Sequence, residues 1–215
     1  MRQKYSLELR DVSIALDGNT IVGPLSFKIK DGDVVTIMGA SGSGKSSLLN
    51  FICGNLPNEF SQEGRVLLND NDITETLPEK RQVGILFQDD LLFPHMSVGT
   101  NLAFSIPQGI GRKERQTLVE KALADAGMSG FGSKDPATLS GGQRSRISLM
   151  RALLAKPQAI LLDEPFNKLD SSLRQKLRQF VFSHTIKAKI PCVLVTHDIE
   201  DAKAAKGKII NLGIQ

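Results

Sequence analysis

The spacing of apolar and polar positions changes along this chain, and each period predicts a different element. LSFKIK (25–30) alternates strictly and runs into Asp31-Gly32, which predicts a half-buried antiparallel hairpin turning at that dipeptide. VVTIM (34–38), GILF (84–87), AILL (159–162) and CVLV (192–195) are short, continuous apolar runs. That is the pattern of strands covered on both faces of a parallel sheet. Helical spacing fills the stretches between them. KERQTLVEKALADAG (113–127) carries Leu118, Val119, Ala122, Leu123 and Ala126 on one side and stops at Gly127. SSLRQKLRQFVFSHTIK (171–187) is a second amphipathic helix, and 95–155 reads as wholly helical. The whole therefore predicts an α/β fold: a mostly parallel sheet, an antiparallel β edge and an inserted helical subdomain. One domain over 1–215 is expected, with a core of about 1–88 and 156–215 and a helical subdomain of about 89–155.

Composition narrows the classes. The chain has 215 residues, 40% hydrophobic and 23% charged, ordinary for a globular protein with a sizeable core. A net charge of +4, spread through both signs, is too mild to argue for a nucleic-acid partner. Cys53 and Cys192 lie in apolar surroundings far apart, so buried free thiols are expected rather than a disulfide. No leader sequence is evident, which fits a reducing cytoplasm. No apolar run approaches the ~20 residues that span a bilayer, so any membrane-spanning work falls to other chains.

The chemistry sits at the ends of the apolar runs. Gly39–Ser47 comes after VVTIM, Gln88 after GILF, Asp163 and Glu164 after AILL, and Thr196-His197 after CVLV. Ligands of open α/β sheets bind at the carboxyl ends of the strands, so four polar or glycine-rich elements are predicted to meet at one edge. Gly39, Ala40, Ser41, Gly42, Ser43, Gly44, Lys45 and Ser46 match G-x-x-x-x-G-K-[ST], with Ser47 next. Such a loop curls its N–H groups around phosphate oxygens. Its lysine reaches the outer phosphates and its hydroxyl can hold Mg²⁺. Asp163 and Glu164 are side by side, which allows a division of labour: Asp163 toward a metal and Glu164 toward an attacking water. The Gln88 side-chain oxygen can coordinate Mg²⁺ or hold a water. His197 suits a phosphate sensor, or merely the start of a helix at Asp198. His95 and His184 read as loop and helix surface. A second phosphate-type helix start lies at LSGGQ (139–143). Ser140 and Gln143 are spaced as a capping box, but Gly141 and Gly142 are not needed for a cap and suit close approach of backbone to a ligand.

Taken together these residues resemble the nucleotide-binding subunit of ATP-binding cassette (ABC) transporters, and the resemblance covers essentially the whole chain. The Walker A loop (39–46), the Q-loop glutamine Gln88, the LSGGQ signature (139–143), Asp163 ending the Walker B strand, Glu164 and the switch histidine His197 occur in family order. ILFQDDLLFPHMSV (85–98) and DEPFNKLD (163–170) look most like bacterial binding-protein-dependent importers of the thiamine, ferric-iron and polyamine type. The resemblance implies a P-loop NTPase core, ATP and Mg²⁺ as ligands, and a head-to-tail homodimer on ATP binding. In that dimer the Walker A loop of one subunit and the signature of the other enclose each ATP, so Ser140, Gly141, Gly142 and Gln143 act in trans, with Asp170 of the D-loop beside them. It also implies membrane-spanning permease partners, indirectly a periplasmic or extracellular binding protein, and a peripheral place at the inner face of the cell membrane.

Three departures stand out. Leu16, in SIALDG, occupies the place of the aromatic that usually stacks on adenine. If no other ring replaces it, weak discrimination between ATP and GTP is expected, and Leu16→Tyr should tighten ATP binding by up to roughly tenfold; Phe27 or a residue of the first strand is an alternative source of the ring. The D-loop reads Asn167-Lys168-Leu169-Asp170 in place of Ser-Ala-Leu-Asp. The chain ends soon after KIINLG (208–213), so the C-terminal regulatory domain of some larger importers is not expected. A rival reading is a soluble ABC ATPase acting on DNA or ribosomes. Against it, only 50 residues separate Gln88 from Leu139, with no heptads for a coiled coil. An exporter or lipoprotein-releasing ATPase would carry the same cassette.

Overall fold

The computed structural model describes residues 5–167 and 171–213. Two sheets share one core. β1 (Ser6–Leu16) and β2 (Asn19–Lys30) form an antiparallel hairpin, and β4 (Phe60–Leu68) and the two-residue β5 (Asn71–Asp72) extend it in the order β2-β1-β4-β5. The second sheet is wholly parallel. Its strands are β3 (Val34–Met38), β6 (Val83–Leu86), β7 (Ala159–Asp163), β8 (Cys192–Thr196) and β9 (Lys208–Asn211), in the order β6-β7-β8-β3-β9.

The LSFKIK alternation is real: Phe27 and Ile29 are buried while Ser26, Lys28 and Lys30 face out. The turn at Asp31-Gly32, however, is not a hairpin. It hands the chain from β2 to β3, in the other sheet, and the Gly32 N–H donates to the Ile190 carbonyl. β1 and β2 reverse at Asp17-Gly18 instead. A second correction concerns GILF. VVTIM, AILL and CVLV are central and covered on both faces, but β6 lies at the sheet edge and Val83, Gly84 and Ile85 are only half-buried.

α1 (Lys45–Cys53) follows β3 and packs beneath the antiparallel sheet, with Leu48, Leu49, Phe51 and Ile52 in the main core. Its C-terminal carbonyls are held by Arg81, 4% exposed, whose guanidinium donates to Phe51 O at 2.8 Å and Ile52 O at 2.9 Å. α2 (Val98–Ser105), α3 (Arg112–Asp125) and α4 (Gly141–Leu154) bury a separate apolar cluster around Leu102, Leu123 and Ile147. α5 (Ser171–Ala188) and α6 (Ile199–Ala205) cover the other face of the parallel sheet, where Leu177 and Val181 meet Leu162 and Leu194. Among the described residues no helix is long and apolar enough to cross a membrane.

Cys53 and Cys192 are free and buried, as expected. Burial pushes the Cys53 thiol up to about 11 and raises that of Cys192 as well. Since the thiolate is the reactive form, a disulfide-exchange reagent near neutral pH should label neither thiol in the folded protein and both after unfolding in guanidinium. Labelling at the unfolded-chain rate without denaturant would contradict this packing.

Candidate functional site

Register builds the site. Met38 of β3 pairs with Thr196 of β8, Val195 of β8 with Asp163 of β7, and Leu162 of β7 with Leu86 of β6. Parallel strands in register end in a row, so the segments after them emerge along one edge. There a cavity of about 520 Å³ is lined by Ser41, Gly42, Gly44, Lys45, Ser46, Ser47, Gln88, Asp163 and Glu164, together with Leu16, Ile21 and Phe60. Gly39, Ala40 and Ser43 belong to the same loop but line the hollow behind it, against Asn211–Gly213.

Local chemistry shapes the loop. Gly44 caps α1 at φ +84°, a left-handed conformation suited to glycine, and a Cβ there would lie 2.5 Å from Val22 Cγ2. The antiparallel sheet therefore abuts the loop. Lys45 is only 6% exposed, and its Nζ donates to the carbonyls of Gly39 at 2.9 Å and Ala40 at 2.7 Å. Those are bonds that a phosphate oxygen can compete for.

Across the cavity, burial pushes the Asp163 carboxyl above its ordinary value. The neighbouring Glu164 charge adds in the same direction, and Lys45 offsets part of it. Glu164 sits at φ +43°, unusual for a glutamate, with its N–H donating to Val195 O at 2.9 Å. Glu164 Oε1 lies 3.3 Å from His197 Nδ1, and Oε2 accepts a hydrogen bond from Asn167 Nδ2. His197 is exposed, and helix α6 begins just beyond it with Asp198 as cap, accepting from the Glu200 N–H at 2.7 Å. The cap is clamped from α5: Arg174 meets Asp198 at 2.6 Å, and Arg178 meets Asp201. Sequence reasoning missed Asn167 as a partner of Glu164, and also this arginine pair. The i, i+4 spacing of Arg174 and Arg178 facing two aspartates was the available signal.

The signature residues do not line this cavity. They open α4. Ser140 Oγ accepts from the Gln143 N–H and Gln143 Oε1 accepts from the Ser140 N–H at 2.9 Å, so the capping box is formed. The glycines divide. Gly142 is buried, and a Cβ there would sit 2.9 Å from the Leu173 side chain of α5, so its smallness has a packing reason inside the chain. The N–H groups of Gly141 and Gly142 occupy the first helical positions and have no intrahelical acceptor. Asp170 lies outside the described residues, as do Lys168 and Leu169. Leu16 is at the cavity; Phe27, 7% exposed, is in the core and is not a candidate for the missing ring.

The segment after Gln88 is fastened to α4. Asp90 accepts from Ser145 Oγ at 2.8 Å and from Arg144 Nε at 3.3 Å, and Arg151 Nη1 donates to Leu91 O at 2.8 Å. Beside it runs an apolar groove of about 450 Å³ lined by Phe87, Leu91, Phe93, Phe104 and Arg151, among others; Phe104 is 63% exposed and Leu91 55%.

A P-loop at the carboxyl edge of a parallel sheet, facing an Asp-Glu pair, defines a nucleoside triphosphatase fold. The sequence profile of the ABC transporter family matches residues 22–167, and the chain belongs to that family of ATP-binding, ATP-hydrolysing subunits. It is similar to the uncharacterized ABC transporter ATP-binding protein YnjD of Escherichia coli (strain K12), 46% identical over 91% of this chain and 90% of that one. It is similar also to the Fe(3+) ions import ATP-binding protein FbpC of Escherichia coli O157:H7, 34% identical over 99% of this chain and 63% of the relative. The putrescine transport ATP-binding protein PotG of Escherichia coli (strain K12) is 36% identical over 94% of this chain and 53% of the relative. The chain thus spans 63% of the length of the iron protein and 53% of that of the putrescine protein.

Proposed function

We propose that the chain is the ATPase subunit of a solute importer, working as a homodimer beneath separate membrane-spanning subunits. One observation carries the reading. The cavity joins the P-loop, Gln88, Asp163 and Glu164, while the second phosphate-type helix start, at Ser140–Gln143, lies outside it. Each chain then supplies half of two sites, and a two-fold dimer completes both. In the completed site the loop N–H groups and Lys45 hold the phosphates of ATP. The free N–H groups of Gly141 and Gly142, with Ser140 and Gln143, reach the γ-phosphate from the partner, and Asp170 is assigned a nucleotide-binding role with them. Glu164 polarises the attacking water, while His197, held against Glu164, steadies the γ-phosphate.

Ser46, Asp163 and Gln88 fit Mg²⁺: they offer hard oxygen donors in one cavity, where burial first and the neighbouring Glu164 charge second raise the Asp163 carboxyl. Among the described residues no group of three or more His, Cys, Asp or Glu side chains could hold a metal alone. That suits an ion sharing its ligands with water and the nucleotide's oxygens. When bound it neutralises charge that builds on the phosphates.

Import, rather than export, is supported by the named role of FbpC. The exposed groove at Phe87, Leu91 and Phe104 is where a permease segment fits, at the inner face of the membrane. The Asp90 clamp would carry its movement to α4 and hence to the signature.

The isolated subunit tests the shared site. Where dimers are scarce, the ATPase rate per chain should rise in proportion to protein concentration, about tenfold for a tenfold increase, and then level off. A rate per chain that is constant from the lowest measurable concentration upward would refute sites shared between chains.

A further inference from the structure

We infer that Phe60, at the start of β4, is the surface on which the nucleotide base stacks, in place of an aromatic at the end of β1. The inference rests on reading the cavity as a nucleotide site. β1 and β4 are antiparallel, and their terminal pair is Leu16 with Phe60. Both residues line the cavity that holds Lys45, Ser46 and Asp163, and Ile21 of β2 joins them there. These three apolar residues come from the same end of the antiparallel sheet, the end that abuts the P-loop at Gly44.

The choice of ring is made by elimination. The chain has ten phenylalanines, one tyrosine and no tryptophan. Phe27 and Phe51 are 7% and 2% exposed in the core. The remaining aromatic residues pack in the second core or the helical cluster, or line the groove beside α2. Among the described residues, Phe60 is the one aromatic lining the nucleotide cavity. It is partly buried against the main core, so its position is set by packing while part of it remains open to the cavity. An anchored aromatic ring beside a phosphate-binding loop has the chemistry to take a purine face, and stacking of this kind tolerates different bases. Leu16 and Ile21 add apolar contact but no donor or acceptor side chain. Purine triphosphates should therefore be preferred over pyrimidine ones, with ATP and GTP little distinguished.

The test compares Mg-ATP with Mg-tripolyphosphate by calorimetric titration of wild type, Phe60→Ala and Phe60→Leu. Leucine keeps the apolar bulk against the core and removes only the π-face. Both variants should bind ATP about five- to a hundredfold more weakly and tripolyphosphate within about twofold of wild type. Phe60→Trp should retain ATP binding. Because the chain has no other tryptophan, its emission reports the contact directly, and quenching by ATP but not by tripolyphosphate is expected. A wild type that binds both ligands beside a Phe60→Leu that binds ATP unchanged would overturn the stacking role alone. So would an equal loss of both ligands in Phe60→Leu. A wild type that binds neither ligand would overturn the nucleotide-site reading, and this inference with it.

Discussion

Glu164→Gln is expected to bind ATP as wild type does, to lose turnover by about a hundredfold or more, and to accumulate as a dimer in Mg-ATP. The magnitude comes from general-base and water-orienting roles, which contribute about 10²–10⁴-fold. The variant should fold normally. Glutamine has the shape of glutamate and meets the same φ of +43°. Its amide can accept from Asn167 Nδ2 through oxygen and donate to His197 Nδ1 through nitrogen, so neither neighbour of Glu164 loses its partner. What is lost is the negative charge, which in the proposed role polarises water. If ATP closes two chains around two nucleotides and hydrolysis reopens them, a subunit that closes but cannot hydrolyse stays closed. Size-exclusion chromatography with Mg-ATP, beside a phosphate-release assay, measures both effects. A variant that stays monomeric at saturating ATP, or hydrolyses at the wild-type rate, would show that Glu164 is not the group acting on water.

Much of this site was legible before the fold was known, because buried parallel strands announce themselves as unbroken apolar runs. VVTIM, AILL and CVLV marked the strands, and their ends marked the residues. The readings that failed depended on how strands are ordered in space. GILF looks as buried as AILL, yet nothing within four residues reveals that β6 is a sheet edge. Asp31-Gly32 signals a turn but not which sheet the next strand joins. β4 was not anticipated: its first half, FSQEG, is mostly polar and its apolar residues come only at the end, so Phe60 stood out neither as core nor as site. Gly142 suits close approach of backbone to a ligand, and inside the chain a Cβ there would also meet the Leu173 side chain. A glycine reports that space is short, not what fills it.

Lys45→Ala should abolish measurable ATP binding at micromolar nucleotide, a loss of about a hundredfold or more. Hydrogen bonds from a charged donor contribute about 1.5–3 kcal/mol each, and losing two of them to phosphate oxygens gives that factor. The same substitution should disturb the protein without nucleotide, for a reason visible across the cavity. Lys45 offsets part of the upward push on the Asp163 carboxyl from burial and from Glu164. Without the ammonium, that carboxyl should rise further. A carboxyl raised in the folded state binds its proton more tightly there than in the unfolded chain. Its ionised form therefore costs stability at pH above the folded value, and the cost disappears as pH falls below the ordinary aspartate value. The stability gap between Lys45→Ala and wild type should accordingly narrow on acidification. Adding Asp163→Asn should restore much of the melting temperature at neutral pH by removing the uncompensated charge, but no ATP binding. Thermal melts at neutral and mildly acidic pH, with titration of ATP into the single and double variants, separate the two effects. A Lys45→Ala that binds ATP like wild type would remove the lysine from the phosphate site. A double variant no more stable than Lys45→Ala would show that Lys45 and Asp163 are not coupled through charge.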